Sequence, residues 1–184
     1  MSDIITQMTA RMGLRANPNK SEDYTHMRID EILQTKRTLS FEVFPPKKGT
    51  DERDKLFSTI DELKALSPDF ISVTYGAGGT DSKNTVEIAD YLQNKAHITA
   101  LAHITGGPSA PEDVDAVAAA LKERGVENVL CLRGDRPVSY EAEYCRYFPH
   151  ATDLANYLAP YGFTLGAACY PEGHTECSMP TLSI

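Results

Sequence analysis

Positive charge is scarce in this chain. Its 184 residues include 18 Lys and Arg against 26 Asp and Glu, for a formal net charge of -8. A surface of that sign repels phosphate backbones and anionic headgroups, so nucleic acid and a charged membrane face are excluded as main partners. Small anions held by local backbone donors are not. No apolar run reaches the roughly eighteen residues that a membrane-crossing helix needs. The start, Met1 to Lys20, is polar and lacks the apolar core of a secretory leader, so a cytoplasmic location is expected. Cysteine is also sparse, and Cys131, Cys145, Cys169 and Cys177 form no close pair at metal-ligand spacing. Cys131 and Cys169 lie in apolar runs that read as strands, so free buried thiols in a reducing compartment are expected. Internal repeats and low-complexity linkers are absent as well.

What is present is an alternation of strand and helix. Residues 1–25 carry no hydrophobic period and read as an N-terminal arm, and 26–184 reads as the folded domain. Arg28 to Gln34 has Ile29, Ile32 and Leu33 at helical spacing. Strands are expected at Thr38 to Phe44, Phe70 to Tyr75, Ile98 to Ile104, Val129 to Leu132 and Thr164 to Tyr170. Between them, Leu56, Ile60 and Leu63 give one helix its buried stripe, Val86, Ala89 and Leu92 a second, and Val114, Val117, Ala118 and Leu121 a third. Leu154 and Leu158 supply a fourth, and Gly162 ends it. Ser109 and Glu112 have capping-box spacing, and Gly125 suits a left-handed helix end. Such alternation implies an α/β fold with a parallel sheet and right-handed crossovers. No Gly-x-Gly-x-x-Gly follows the first strand, which argues against a dinucleotide-binding doubly wound sheet. Val43, Val73, Leu101 and Leu130 can face either side of the sheet, depending on the alternation.

Polar residues collect where the strands end. Glu42 interrupts the first strand and points opposite to Phe41 and Val43. A carboxylate in a strand expected to be buried is costly unless paired or neutralised, which makes Glu42 a candidate general acid. The alternative is an edge-strand glutamate facing water. The strand Val129 to Leu132 runs straight into Arg133, Gly134 and Asp135, and Pro137 stops it from continuing. Gly76 to Thr80 offers backbone amides ahead of a helix, a workable cradle for phosphate or a ring edge. Glu42, Thr74, His103, Asp135, Tyr170 and His174 all fall near the carboxyl end of their own strand, where α/β sheets place ligand chemistry.

Five motifs in order, Ser-Phe-Glu-Val-Phe-Pro-Pro, Val-Thr-Tyr-Gly-Ala-Gly-Gly-Thr, Ala-His-Ile-Thr, Leu-Arg-Gly-Asp-Arg-Pro and Tyr-Pro-Glu-Gly-His, carry a family resemblance over Leu39 to His174. They resemble the flavin-dependent methylenetetrahydrofolate reductases. The resemblance implies a TIM (β/α)8 barrel, of which about five of the eight strand-helix units are readable here. It implies FAD as cofactor and NADH or NADPH as reductant. The implied reaction reduces 5,10-methylenetetrahydrofolate to 5-methyltetrahydrofolate, which supplies the methyl group for methionine. By position, Glu42 matches the general acid and Asp135 the carboxylate near flavin and pterin. Thr74, His103, Arg133, Gly134, Asp135, Ala151, Ala168, Tyr170 and His174 match positions lining FAD, and His150 falls where bacterial members usually have tyrosine. Folate and the nicotinamide are thus the expected partners. Unpaired edges on an incomplete barrel would also favour association of copies, a homo-oligomer.

Two other readings stay open on the residues. One is a binding or regulatory chain that keeps part of the FAD surface, and whose strands after His174 are missing. The other is a metal-dependent barrel hydrolase or aldolase using His103, Asp135, Glu172 and His174 as ligands.

Overall fold

Short apolar runs closed by polar residues form the strands, and each pairs in parallel with the strand before it. The computed structural model describes residues 27–46, 50–75, 82–135 and 144–170. In chain order these hold α1 (Ile29–Thr35), β1 (Ser40–Val43), α2 (Thr50–Lys64), β2 (Phe70–Val73), α3 (Ser82–Asp90), β3 (Thr99–Thr105), α4 (Pro111–Glu123), β4 (Asn128–Leu132), α5 (Ala151–Leu158) and β5 (Thr164–Ala167). The five strands form one parallel sheet in the order β1-β2-β3-β4-β5. Sequential order with right-handed crossovers puts every crossover helix, α2 to α5, on the same face, as in a barrel wall. A doubly wound sheet reverses direction part-way and covers both faces.

Register sorts the side chains into two faces. Phe41 pairs with Ile71 and Val43 with Val73, Ile71 with Ala100, Ile104 with Cys131 and Val129 with Leu165. Side chains of paired residues point the same way. On this face Val43, Ile71, Val73, Ala100, Ala102, Ile104, Val129 and Cys131 are buried beneath the helices. Ile60 of α2, Ile88 and Ala89 of α3, Val114 and Leu121 of α4, and Leu154 and Leu158 of α5 complete that core. Val43 and Val73 therefore belong to the helix-packed side. Leu101 and Leu130 alternate onto the other side, with Ser40, Glu42, Ser72, Thr99, His103, Thr105 and Asn128. The face without helices is more polar than the helix-packed one, although Phe70, Leu101, Leu130 and Leu132 also lie on it.

Several helix ends depart from the sequence reading. Ser109 does not cap α4: its hydroxyl donates back to the Thr105 carbonyl at 2.7 Å. The N-cap is Ala110, whose N–H donates to Asp113 Oδ2 at 3.1 Å, so half of the box forms one residue later than Ser109 and Glu112 suggested, and alanine has no side chain to return the bond. The other end of α4 is as expected. Gly125, at φ +69°, donates to the Lys122 carbonyl, and Val126 to that of Leu121, both at 3.0 Å. These two bonds make a Schellman motif. After Asp90, α3 widens into a π-helical turn, Tyr91–Ala96, in which buried Gln93 accepts from the Ala100 N–H at 3.1 Å. Tyr157 and Tyr161 both donate to Asp115 Oδ1, at 2.7 and 2.6 Å, and fasten the end of α5 to α4.

β5 is shorter than expected. Its last pairing is Ala167 with Cys131, so Ala168, Cys169 and Tyr170 run past the ladder and are exposed. Cys169 is consequently not a buried thiol. Cys131 is, and burial pushes its thiol up to about 11. Cys131, Cys145 and Cys169 are all free, and Cys177 lies outside the described residues, as does the whole 1–25 arm. No helix among the described residues is long and apolar enough to cross a membrane.

Candidate functional site

The candidate site grows from the carboxyl ends of β1 to β4 on the helix-free face. Glu42 and Ser72 are register partners on β1 and β2, so their side chains emerge together. The Ser72 hydroxyl lies 3.3 Å from Glu42 Oε2 and 3.4 Å from the Phe41 carbonyl, and donates between the two. Glu42 is not buried as its strand context suggested. Its side chain keeps 47% of its exposure because β1 is the edge strand, paired only with β2 among the described residues. The opposite holds for His103 on β3, which is 5% exposed. Its Nε2 stands 3.9 Å from Glu42 Oε2, too far for a hydrogen bond, and finds no partner among the described residues. Burial holds the imidazole below its ordinary proton affinity, and the Glu42 charge acts in the other direction. A buried ring nitrogen left unsatisfied within a polar face is a ready point for a ligand.

Glycine draws the β3 and β4 ends together. Gly106 donates to the Leu132 carbonyl at 2.9 Å and Gly107 to the Arg133 carbonyl at 2.7 Å, so the pairing runs beyond the strands. A Cβ at Gly107 would come within 2.6 Å of the Arg133 carbonyl oxygen. Only glycine fits that approach. Gly134 follows at φ +86°, and Arg133 Nε donates to its carbonyl at 3.2 Å. The turn leaves Asp135 exposed at the sheet's end, with its carbonyl accepting from the Tyr144 hydroxyl at 2.6 Å. Thr74, one residue beyond β2, donates to the Val43 carbonyl at 3.1 Å and accepts from the Thr85 hydroxyl at 3.1 Å.

The remaining sequence candidates divide by position. His150 caps α5 and holds Asp153 through its N–H at 2.9 Å. Ala151 opens that helix. A helix that follows a strand begins near the strand's carboxyl end, so both sit at the site's end of the sheet. Ala168 and Tyr170 trail from β5 at the same end. His174, Glu172 and the Gly76–Thr80 loop lie outside the described residues. Among those described, no group of three or more His, Cys, Asp or Glu could hold a metal ion.

Four contributors escaped the sequence reading. Ser72 could have been found from strand register opposite Glu42. Half-buried Tyr75 lies within the motif already quoted. Burial pushes its phenol up, while the Ser82 and Ser109 hydroxyls pull it down. Gly107 and Tyr144 gave no local signal, because their roles come from contacts between loops.

A family model, methylenetetrahydrofolate reductase, matches residues 27–183. The chain belongs to the methylenetetrahydrofolate reductase family. It is 37% identical over 161 residues to a protein named probable methylenetetrahydrofolate reductase (NADH) in Oryza sativa subsp. japonica, covering 84% of this chain and 27% of that one. Methylenetetrahydrofolate reductase 2 of Schizosaccharomyces pombe is 36% identical over 162 residues, 84% of this chain and 25% of its own. With 5,10-methylenetetrahydrofolate reductase of Pectobacterium carotovorum the identity is 34% over 145 residues, 78% of this chain and 47% of that protein. The chain thus spans between about a quarter and a half of the reductases it matches. Both the open polar face and the sequential parallel strands are consistent with the barrel of that family.

Proposed function

We propose that this chain supplies the flavin- and folate-facing wall of a reductase. The reaction converts 5,10-methylenetetrahydrofolate to 5-methyltetrahydrofolate with NADH or NADPH as reductant. The observation that carries the reading is the Glu42 carboxyl at the carboxyl end of a parallel sheet, on its helix-free face, 3.9 Å from a buried imidazole, in a chain of the reductase family.

FAD fits the residues present. His103 Nε2, which has no partner among the described residues, and the backbone turn at Arg133 and Gly134 offer hydrogen-bonding points. Thr74, His150, Ala151, Ala168 and Tyr170 sit at the same end of the sheet, and we assign His174 to the same role by its motif. When bound, the flavin carries hydride between the nicotinamide and the folate carbon.

The protein's own contribution is proton delivery and charge. The folate methylene accepts hydride only after N10 is protonated and the five-membered ring opens to an iminium. Glu42 delivers that proton from the open face, where a ligand laid over the sheet shields it from water. An anion at Asp135 favours the positive charge that develops as the ring opens.

Substituting Glu42→Gln separates these roles. Reduction of bound flavin by NAD(P)H stays near the wild-type rate, and turnover of methylenetetrahydrofolate falls by roughly two orders of magnitude or more. The two half-reactions are followed by stopped-flow absorbance. Equal slowing of both would make Glu42 a structural residue and remove the assignment.

A further inference from the structure

The carboxyl of Glu42 is half exposed, on a side chain with three rotatable bonds, yet a proton donor has to hold one direction. Among the described residues a single hydrogen-bond donor reaches it, the Ser72 hydroxyl at 3.3 Å. Ser72 is itself buried, 7% exposed, and the parallel register fixes it directly beside Glu42 on the same face. Among the described residues its only other acceptor is the carbonyl of Phe41, the residue preceding Glu42 on β1, at 3.4 Å. The hydroxyl thus spans backbone and side chain of one short strand. Oε2, the oxygen it touches, is also the one that faces His103 Nε2.

We infer that Ser72 is the positioning residue of the Glu42 carboxyl, holding Oε2 toward the buried His103 ring and the open face rather than letting it swing into water. The inference rests on the reading of Glu42 as the proton donor, and it assigns a residue on the neighbouring strand to the orientation of that donor. Without the hydroxyl, the carboxyl regains its rotamers and water competes for both oxygens.

His103 reports on this geometry directly. Around its ring, β1 presents Glu42 and β4 the apolar Leu130, its register partner, while the β2 residues that share this face, Phe70 and Ser72, are uncharged. Of the charged groups described, Glu42 is the one acting on the ring, and its carboxylate favours the imidazolium. The ring's titration midpoint, read by NMR of the labelled imidazole in the full 184-residue chain, therefore measures how close the carboxylate stays.

Glu42→Gln lowers that midpoint by removing the charge. If Ser72 holds the carboxyl, Ser72→Ala lowers it in the same direction by most of the same amount, and Ser72→Thr, which keeps the hydroxyl, restores the wild-type midpoint. A wild-type midpoint in Ser72→Ala alongside a lowered one in Glu42→Gln would overturn the inference. So would equal shifts in Ser72→Ala and Ser72→Thr, which mark a packing effect, or no shift in Glu42→Gln. The titration involves no folate or flavin. Loss of the proton-donor assignment would appear in the stopped-flow half-reactions of Glu42→Gln, and loss of the positioning role only in the midpoints.

Discussion

His103 has a consequence for stability as well as for the site. Burial depresses the proton affinity of its ring below the ordinary value of 6.5, with the Glu42 carboxylate only partly offsetting this. The unfolded chain then binds the proton more readily than the folded one, so stability falls as pH drops below about 6.5 and the loss is complete below the folded-state midpoint. Above about 6.5 both states hold a neutral ring and the residue adds no pH dependence. The expected outcome is a decline in urea midpoint on the acid side that is flattened in His103→Gln. Carboxylates bring their own acid loss at lower pH, so wild type and His103→Gln should converge in slope only there. An unchanged slope in His103→Gln near pH 6 would show that the ring protonates freely in the folded protein.

Among the elements, the turn from α4 to β4 shows how a loop can be set by one atom's absence. Gly125 ends α4 in the left-handed region at φ +69°, and a Cβ there would meet nothing within 4 Å. Gly125→Ala therefore tests backbone strain without a clash, and should cost about 1–2 kcal/mol in denaturant unfolding. The C-terminal bonds of α4, from Gly125 and Val126, are expected to survive. A stability loss much larger than this would mean the Schellman end is itself coupled to the core. Gly125 was legible as a helix stop because the requirement is local. The cap at the other end of α4 was not. Ser109 has the right side chain, but the β3 end captures its hydroxyl through Thr105, and Asp113 reaches Ala110 instead. Competition between two backbone partners is settled by the direction in which the chain leaves the strand.

Taken whole, the sheet is covered by helices on one face and closed at its amino-terminal end by α1. Ile29 and Ile32 are buried there, and Asn128 connects three segments. Its Oδ1 accepts from the Ile29 N–H at 2.8 Å and its Nδ2 donates to the Ala100 carbonyl at 3.3 Å. Lys36 and Asp69, 2.6 Å apart, add an ion pair between the chain leaving α1 and the approach to β2. Asn128→Ala leaves a buried donor and a buried acceptor unsatisfied, at roughly 1–3 kcal/mol for each group stranded. The expected result is a lower denaturant midpoint together with faster amide exchange at Ile29. Unaltered exchange there would mean that apolar packing of Ile29 and Ile32 alone holds the helix.

The sequence by itself determined the strand-helix alternation, the buried stripes of α2 to α5 and the clustering of polar residues at strand ends. Each of these follows from periodicity and chain direction, which are local or one-dimensional. Glu42, Thr74, His103 and Asp135 were legible as candidates because strands in such sheets end where ligands bind. Only the tertiary structure decided which face each strand residue joins. A single register sends Val43 and Val73 under the helices and Glu42, Ser72 and His103 to the open side. It decided, too, that Glu42 is half exposed while His103 is buried. Burial depends on what neighbouring strands and helices cover, and no spacing along the chain records that.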